Sequence, residues 1–350
     1  MLSWYARALA GDGIRRYGNY NVNIVLPDAG VVVRIPIEGG DARDLRLWPE
    51  PEALSALAPL VPRMPRLLHR SSRPPFQVHT FIAGTTLHDL APRGRAVPAH
   101  VISDVVELME LLCRIPAGRV PPPPAGWPRT TAGFARLVAG ATQHVADQVR
   151  ASSYAPLYER LAIPDDPLAI LGERWPEMAG RRFAPVHCDL HRKNLIVADG
   201  GTFFIDWELC LPHGDPVYDL AVHLSKMCYR GAEEDAVLRA WSGALPAAHI
   251  RGWEHDLRVY RAHETVKTAL VDSFRYAKLI AAGADAAVPL ASLTAKVNAA
   301  HEVWGTGLRL SGAAVGEAVS AVLAAAPPRL TPREPASDPR RPAIGGVPSP

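Results

Sequence analysis

The most constraining stretch of this 350-residue chain runs from Val186 to Glu208. It opens Val186-His187-Cys188-Asp189-Leu190-His191-Arg192-Lys193-Asn194, continues through apolar Leu195-Ile196-Val197, and turns at Asp199-Gly200-Gly201. Apolar Phe203-Phe204-Ile205 then leads into Asp206-Trp207-Glu208. Asp-Gly between two short apolar runs is a strong hairpin signal. Folded as a hairpin, the segment returns Asp206 to a loop that carries Asp189 and, five residues on, Asn194. Two carboxylates and an amide oxygen then meet at one point, and the rest of the fold has to be built around them.

Such a set suits the transfer of a phosphoryl group. The moving group spreads negative charge over its oxygens, so catalysis is mostly positioning plus cations. Magnesium wants hard oxygen ligands and keeps several waters, so one or two protein oxygens suffice. The attacking hydroxyl needs a carboxylate to orient it and to take its proton. Asp and Asn also favour turns. Here their joint spacing between apolar strands decides for function over surface turns.

The pattern H-x-D-x-x-x-x-N, a hairpin and I-D-W-E resembles the catalytic core of the aminoglycoside phosphotransferase family, which is related to choline kinases and more distantly to protein kinases. The resemblance implies an α+β, bilobal protein-kinase-like fold, with a small β-rich N-lobe and a larger, mostly helical C-lobe. It implies Asp189 as catalytic base, Asn194 and Asp206 as magnesium ligands, and His187 as a loop-shaping residue without a proton-transfer role. Gly214-Asp215-Pro216 and Asp219-Leu220-Ala221 fit the same family, in which the residue at Asp219 braces the catalytic loop. Two departures stand out: Cys188 where glycine is usual, and Arg192-Lys193 where Pro-Gly is common. Lys193 lies four residues after Asp189 and is the candidate cation for the γ-phosphate.

The N-terminal part resembles the family less closely. Arg34 falls where kinases carry a phosphate-contacting lysine, and a helix glutamate, Glu50 with Glu52 as fallback, would pair with it. Gln77 to Gly84 looks like the hinge strand, with the backbone of Thr80 and Ile82 binding the base of ATP or GTP. Tyr17-Gly18-Asn19-Tyr20-Asn21 would cover the phosphates, although it departs from G-x-G-x-x-G.

Patterning supports this layout. Tyr20–Leu26 and Val31–Ile35 flank a Pro27–Gly30 turn and read as a hairpin. Residues 50–57, 99–112 and 131–150 carry helical spacing, as do 232–241, 253–282, 288–304 and 312–325. The run Pro121–Pro124 is a stiff connector. The expected division is 1–82 for the nucleotide lobe, 83–326 for the helical lobe with the acceptor site, and 327–350 for a disordered tail. That tail holds eight prolines and almost no large apolar groups. Charged and aromatic Tyr260, His263, Glu264, Lys267 and Asp272 read as a solvated helix face, and Trp127 and Phe134 as core. Asp215 reads as a structural support.

The net charge is +3, of which +2 sits in the tail, so no basic stripe points to nucleic acid. Four cysteines without a C-x-x-C pair read as reduced thiols rather than a disulfide framework or zinc site. Met1–Arg7 lacks the layout of a secretory leader, and no apolar stretch reaches membrane-spanning length. The expectation is a cytoplasmic enzyme, monomer or homodimer. It would use ATP or GTP with Mg2+ to phosphorylate a hydroxyl of a small molecule, an aminoglycoside, another antibiotic or a related metabolite. The alternative is a nucleotide-binding pseudokinase or partner-binding module without turnover. A protein kinase is disfavoured, because no A-P-E segment follows Asp206.

Overall fold

The computed structural model describes residues 2–18, 20–37 and 48–325. The expected phosphate-loop residue Asn19 and the proline-rich 327–350 segment lie outside these residues.

The chain opens with α1 (Leu2–Ala10) and then builds β1 (Ile14–Tyr17), β2 (Asn21–Leu26) and β3 (Val31–Pro36). Helix α2 (Glu50–Leu57) precedes β4 (Leu67–Ser72) and β5 (Pro75–Thr80). The five strands form one antiparallel sheet in the order β1-β2-β3-β5-β4. Gly30, at φ 64, closes the β2–β3 turn in the left-handed region that glycine reaches without strain. Alternation puts Ile24, Leu26, Val31, Val33, Phe76 and Val78 on a buried face against Ala8 of α1. The same alternation aims Arg34 at α2 and the catalytic segment, opposite Asn23 on one neighbour and Gln77 on the other.

Past Thr80 the chain is extended. Gly84 has φ 153, and a Cβ there would fall 2.6 Å from the Val197 carbonyl oxygen. Only glycine lets the connecting segment pass this close to the second sheet. That sheet joins β6 (Thr85–Thr86) to β8 (Leu195–Ala198) and β9 (Gly201–Phe204), the expected hairpin, while β7 (Ala184–Val186) pairs with β10 (Leu211–Gly214).

The remainder is helical: α3 (Leu87–Leu90), α4 (Ala99–Arg114), α5 (Thr131–Arg150), α6 (Ala155–Arg160), α7 (Ala169–Gly172), α8 (Pro216–Met227), α9 (Gly231–Ala244), α10 (Ala247–Ile250), α11 (Trp253–Ala281), α12 (Ala287–Trp304) and α13 (Gly312–Ala325). Helix α4 packs on β7, β9 and α9, forming the core beneath the hairpin. Helix α11 lies between α8, α5 and α12. That placement corrects one expectation: Tyr260, His263, Glu264 and Asp272 are buried, not a solvated face. Phe134 is buried against Tyr218, as core would have it, whereas Trp127 is half-buried at the edge of that core and donates its indole N–H to the His213 carbonyl. Among the described residues no helix is long and apolar enough to cross a membrane.

Candidate active site

Strand β7 delivers the chain to His187, and the next residues are held from below by α8. Asp219, on the first turns of α8, accepts hydrogen bonds from the backbone N–H groups of Cys188 at 2.7 Å and His187 at 3.2 Å. Burial pushes the Asp219 carboxyl up to about 6, while those two donors pull the other way. Cys188 sits at φ 59, unusual for a side-chain-bearing residue, and its thiol is buried and pushed well above the ordinary range. It is no nucleophile. His187 is fully buried against the Trp207 ring, 4.5 Å between centroids. Burial lowers its pKa to about 4, so it is neutral at physiological pH.

This turn presents the Asp189 side chain at the surface of the loop. Asn194 Nδ2 donates to Asp189 Oδ2 and to the Asp189 carbonyl, each at 3.0 Å. With the amide nitrogen spent twice, Oδ1 is the oxygen of Asn194 left for a cation. The Asn194 carbonyl accepts from the Ile205 N–H at 3.0 Å, which fixes the neighbouring Asp206 to the same loop. The other Asp189 oxygen, Oδ1, lies 2.5 Å from Lys226 Nζ and 3.5 Å from His191 Nε2. Lys226 belongs to α8, a helix that the sequence patterning does not single out. Burial lowers its pKa, but the Asp189 carboxylate outweighs that and leaves it raised. Lys193 is exposed on the turn and makes no ion pair among the described residues. Arg192 is buried instead: its guanidinium donates to the carbonyls of Met227, Ala91, Pro92 and Arg95, tying the loop to the end of α8.

Asp206 stands at φ 66 with its carboxylate partly exposed. Its Oδ1 accepts from Arg34 Nη2 at 3.2 Å, while Arg34 Nη1 donates to Glu50 Oε1 at 2.8 Å. Glu52, the fallback, instead faces Arg70 at 3.7 Å. Glu208 joins the cluster, 3.5 Å from Arg34 and 3.1 Å from Asn21 Nδ2. Burial alone would weaken the Arg34 charge, but Glu50, Asp206 and Glu208 together hold its pKa above the ordinary value. Sequence reasoning names Asn21 within the phosphate-covering segment and Glu208 as the end of I-D-W-E, but it joins neither to Arg34. A charged residue directly after Asp206-Trp207 was the available signal.

At the outer edge of the cleft, the Thr80 N–H donates to the Arg66 carbonyl at 3.0 Å and its hydroxyl accepts from the Arg66 N–H at 2.9 Å. The Phe81 N–H goes to the Gly30 carbonyl at 2.8 Å. The Ile82 N–H makes no hydrogen bond among the described residues. Of the two hinge residues, Ile82 therefore has the donor to spare and Thr80 does not.

Beside Cys188 a cleft runs between α5 and α11. Val138, Val145, Leu209 and Leu211 make it aliphatic, Cys188 forms part of its wall, and Lys267 is its charged member. The Lys267 ammonium is 3.2 Å from Glu264, a buried carboxylate whose pKa falls despite burial because Lys267 and His263 face it.

Among the described residues no group of three or more His, Cys, Asp or Glu gathers as a metal cage. The donors near Asp189 are of a different kind, an amide oxygen and a carboxylate. That hard-oxygen pair fits a magnesium ion shared with nucleotide phosphates.

These elements define a protein-kinase-like fold, a β-sheet region over a mostly helical part with the hairpin site between them. The chain belongs to the phosphotransferase enzyme family, which it matches over residues 14–255. Solved structures share the fold. A choline/ethanolamine kinase family protein from Mesorhizobium loti aligns at TM-score 0.52 and 17% identity, covering 93% of this chain and 100% of that one. An aminoglycoside 2'-phosphotransferase-IIIa, solved with GDP, gives TM-score 0.53 at 15% identity, covering 88% and 99%. A macrolide 2'-phosphotransferase from Brachybacterium faecium gives 0.51 at 16%, covering 85% and 98%. No curated protein sequence matches the chain.

Proposed function

We propose that this protein transfers the γ-phosphate of ATP or GTP to a hydroxyl of a small molecule, with Asp189 as base. What supports the reading is one hydrogen-bonded set: Asp189 held by Asn194, Asn194 tied through Ile205 to Asp206, and Asp206 tied through Arg34 to Glu50. Asn194 and Asp206 would hold the magnesium, which when bound neutralises phosphate charge. Arg34, kept in place by Glu50, would face the phosphates with the Asn19 loop above them. The base of the nucleotide would lie against Thr80–Ile82, with the Ile82 N–H as donor. Asp189 orients the acceptor hydroxyl and takes its proton as oxygen attacks phosphorus. The bond from phosphorus to the β–γ bridging oxygen breaks, and its electron pair leaves with the nucleoside diphosphate.

The solved relatives are described as acting on, or classed by, choline and ethanolamine, aminoglycosides and macrolides. For this chain the acceptor is an antibiotic or related metabolite alcohol, seated in the cleft beside Cys188. Its walls are largely aliphatic and its charged lining residue is an ammonium. An acceptor with an apolar face suits such walls better than a polycation.

The experiment is magnesium-dependent nucleotide turnover across hydroxylated acceptors, with macrolides, nucleoside antibiotics and aminoglycosides included. A phosphate adduct is scored by mass spectrometry. An adduct that disappears in Asp189→Asn supports the proposal. Nucleotide binding without an adduct, and background hydrolysis untouched by Asp189→Asn, would point to a module without turnover.

A further inference from the structure

Helix α8 lays one stripe along the catalytic loop. Asp219, His223 and Lys226 stand at i, i+4 and i+7, so they share a face. Each meets a different part of the loop. Asp219 takes the N–H groups of His187 and Cys188, and His223 Nδ1 lies 2.9 Å from the Leu190 carbonyl oxygen. Lys226 reaches the Asp189 carboxylate at 2.5 Å. From the loop side, Arg192 Nε donates to the Met227 carbonyl at 3.0 Å, one residue beyond Lys226.

The first two contacts brace backbone. The third differs, because Lys226 touches the side chain that would meet the reacting hydroxyl, and its own side chain is 27% exposed. An ammonium carries three donors. Asp189 is the single hydrogen-bond acceptor of Lys226 Nζ among the described residues, so two donors remain. The other cations nearby are less suited to a transferring phosphate. Arg34 already serves three carboxylates, and Lys193 is exposed on the turn. His191, lowered by burial, adds no charge at neutral pH.

Resting on the phosphotransferase reading, we infer that Lys226 is a phosphate-contacting residue whose ammonium bridges the Asp189 carboxylate and the γ-phosphate of the bound nucleotide. It stays protonated throughout and supplies positive charge where the phosphoryl oxygens gather it. It also holds Asp189 at the distance at which a hydroxyl can enter between carboxylate and phosphorus.

Equilibrium binding tests this without knowledge of the acceptor. Titrate the full chain with magnesium and either ADP or the non-hydrolysable ATP analogue with an imido β–γ bridge, using the unaltered protein, Lys226→Met and Lys226→Arg. Losing a hydrogen bond to a charged group costs roughly ten- to hundredfold, so Lys226→Met should weaken the triphosphate analogue by about that factor. ADP lacks the γ-phosphate and should bind within about threefold of the unaltered protein, which also shows that the variant folds. Lys226→Arg keeps the charge and should recover most of the analogue's affinity. Lys226→Gln replaces Lys226→Met should the latter not fold. Equal losses for both ligands, or no loss for either, would overturn the inference while leaving the function intact. An unaltered protein that binds neither these nucleotides nor their guanine counterparts would overturn both.

Discussion

Glu50 Oε1 accepts two hydrogen bonds, from Arg34 Nη1 at 2.8 Å and from the Trp207 N–H at 3.2 Å. One oxygen on α2 thus joins the N-terminal sheet to the segment directly after Asp206. Both Arg34 and Glu50 are buried, so removing the arginine takes the nearest cation away from a carboxylate in the interior. Arg34→Met should cost about 3–5 kcal/mol, the range for breaking a buried pair. Denaturant unfolding measures it, and Glu50→Gln in the same chain should recover part of the loss. A change below about 1 kcal/mol would show that the pair is not what holds α2 to the site.

Asp189→Asn keeps the size of the side chain and removes the proton acceptor. The expected outcome is a fall in single-turnover rate of about 10²- to 10⁴-fold. Nucleotide affinity should persist, since Lys226, Asn194 and Asp206 remain. A well-folded variant with full activity would remove Asp189 from the role of base.

Asp206→Ala tests the cation. Magnesium should strengthen nucleotide binding to the unaltered protein by neutralising phosphate charge, and should no longer do so in this variant. Affinity measured with and without magnesium gives the answer. An undiminished magnesium effect would assign the ligand elsewhere.

Asp219 gives a pH dependence with a defined sign. Its folded carboxyl titrates near pH 6, above the ordinary value of 3.8. Between these values the folded state binds more protons than the unfolded one, so Asp219's own contribution to stability rises as pH falls. Protonation nevertheless weakens its grip on the His187 and Cys188 N–H groups. Activity should therefore decline below about pH 6 with no loss of melting temperature attributable to this residue. In Asp219→Asn the acid limb should vanish along with much of the rate. A rate profile that keeps the same limb in that variant would assign it to another group.

Much of this arrangement is legible in the sequence because local signals agree. The β8–β9 hairpin announces itself by Asp-Gly-Gly between apolar runs. Helix α5 follows its pattern to the ends, with Thr130 capping the Gly133 N–H at 3.1 Å. Helix α8 has no such clarity. From Pro216 to Leu224 every residue is buried, so no polar face marks its period, and Lys226 at its far end goes unnoticed. The charges of α11 mislead for a related reason. Their spacing is the same whether the helix faces water or lies between α8, α5 and α12. The three-carboxylate cluster at Arg34 is assembled from β3, α2 and the post-hairpin turn, and its full membership lies beyond the reach of local patterning.

Cys188 holds a left-handed backbone that glycine would adopt freely, and its side chain lines the cleft next to Asp189. The thiol works as a floor. Trimming it to hydrogen would relieve the backbone and deepen the cleft by the volume of a methylene and a sulfur, about twice that of a methyl group, directly beside the proposed base. On the proposed seating of the acceptor, its size becomes adjustable at a position that carries no charge and moves no proton. A molecule too bulky for the present enzyme gains room at Cys188→Gly with Asp189, Asn194 and Asp206 untouched, so selectivity and chemistry are set one residue apart yet can vary independently.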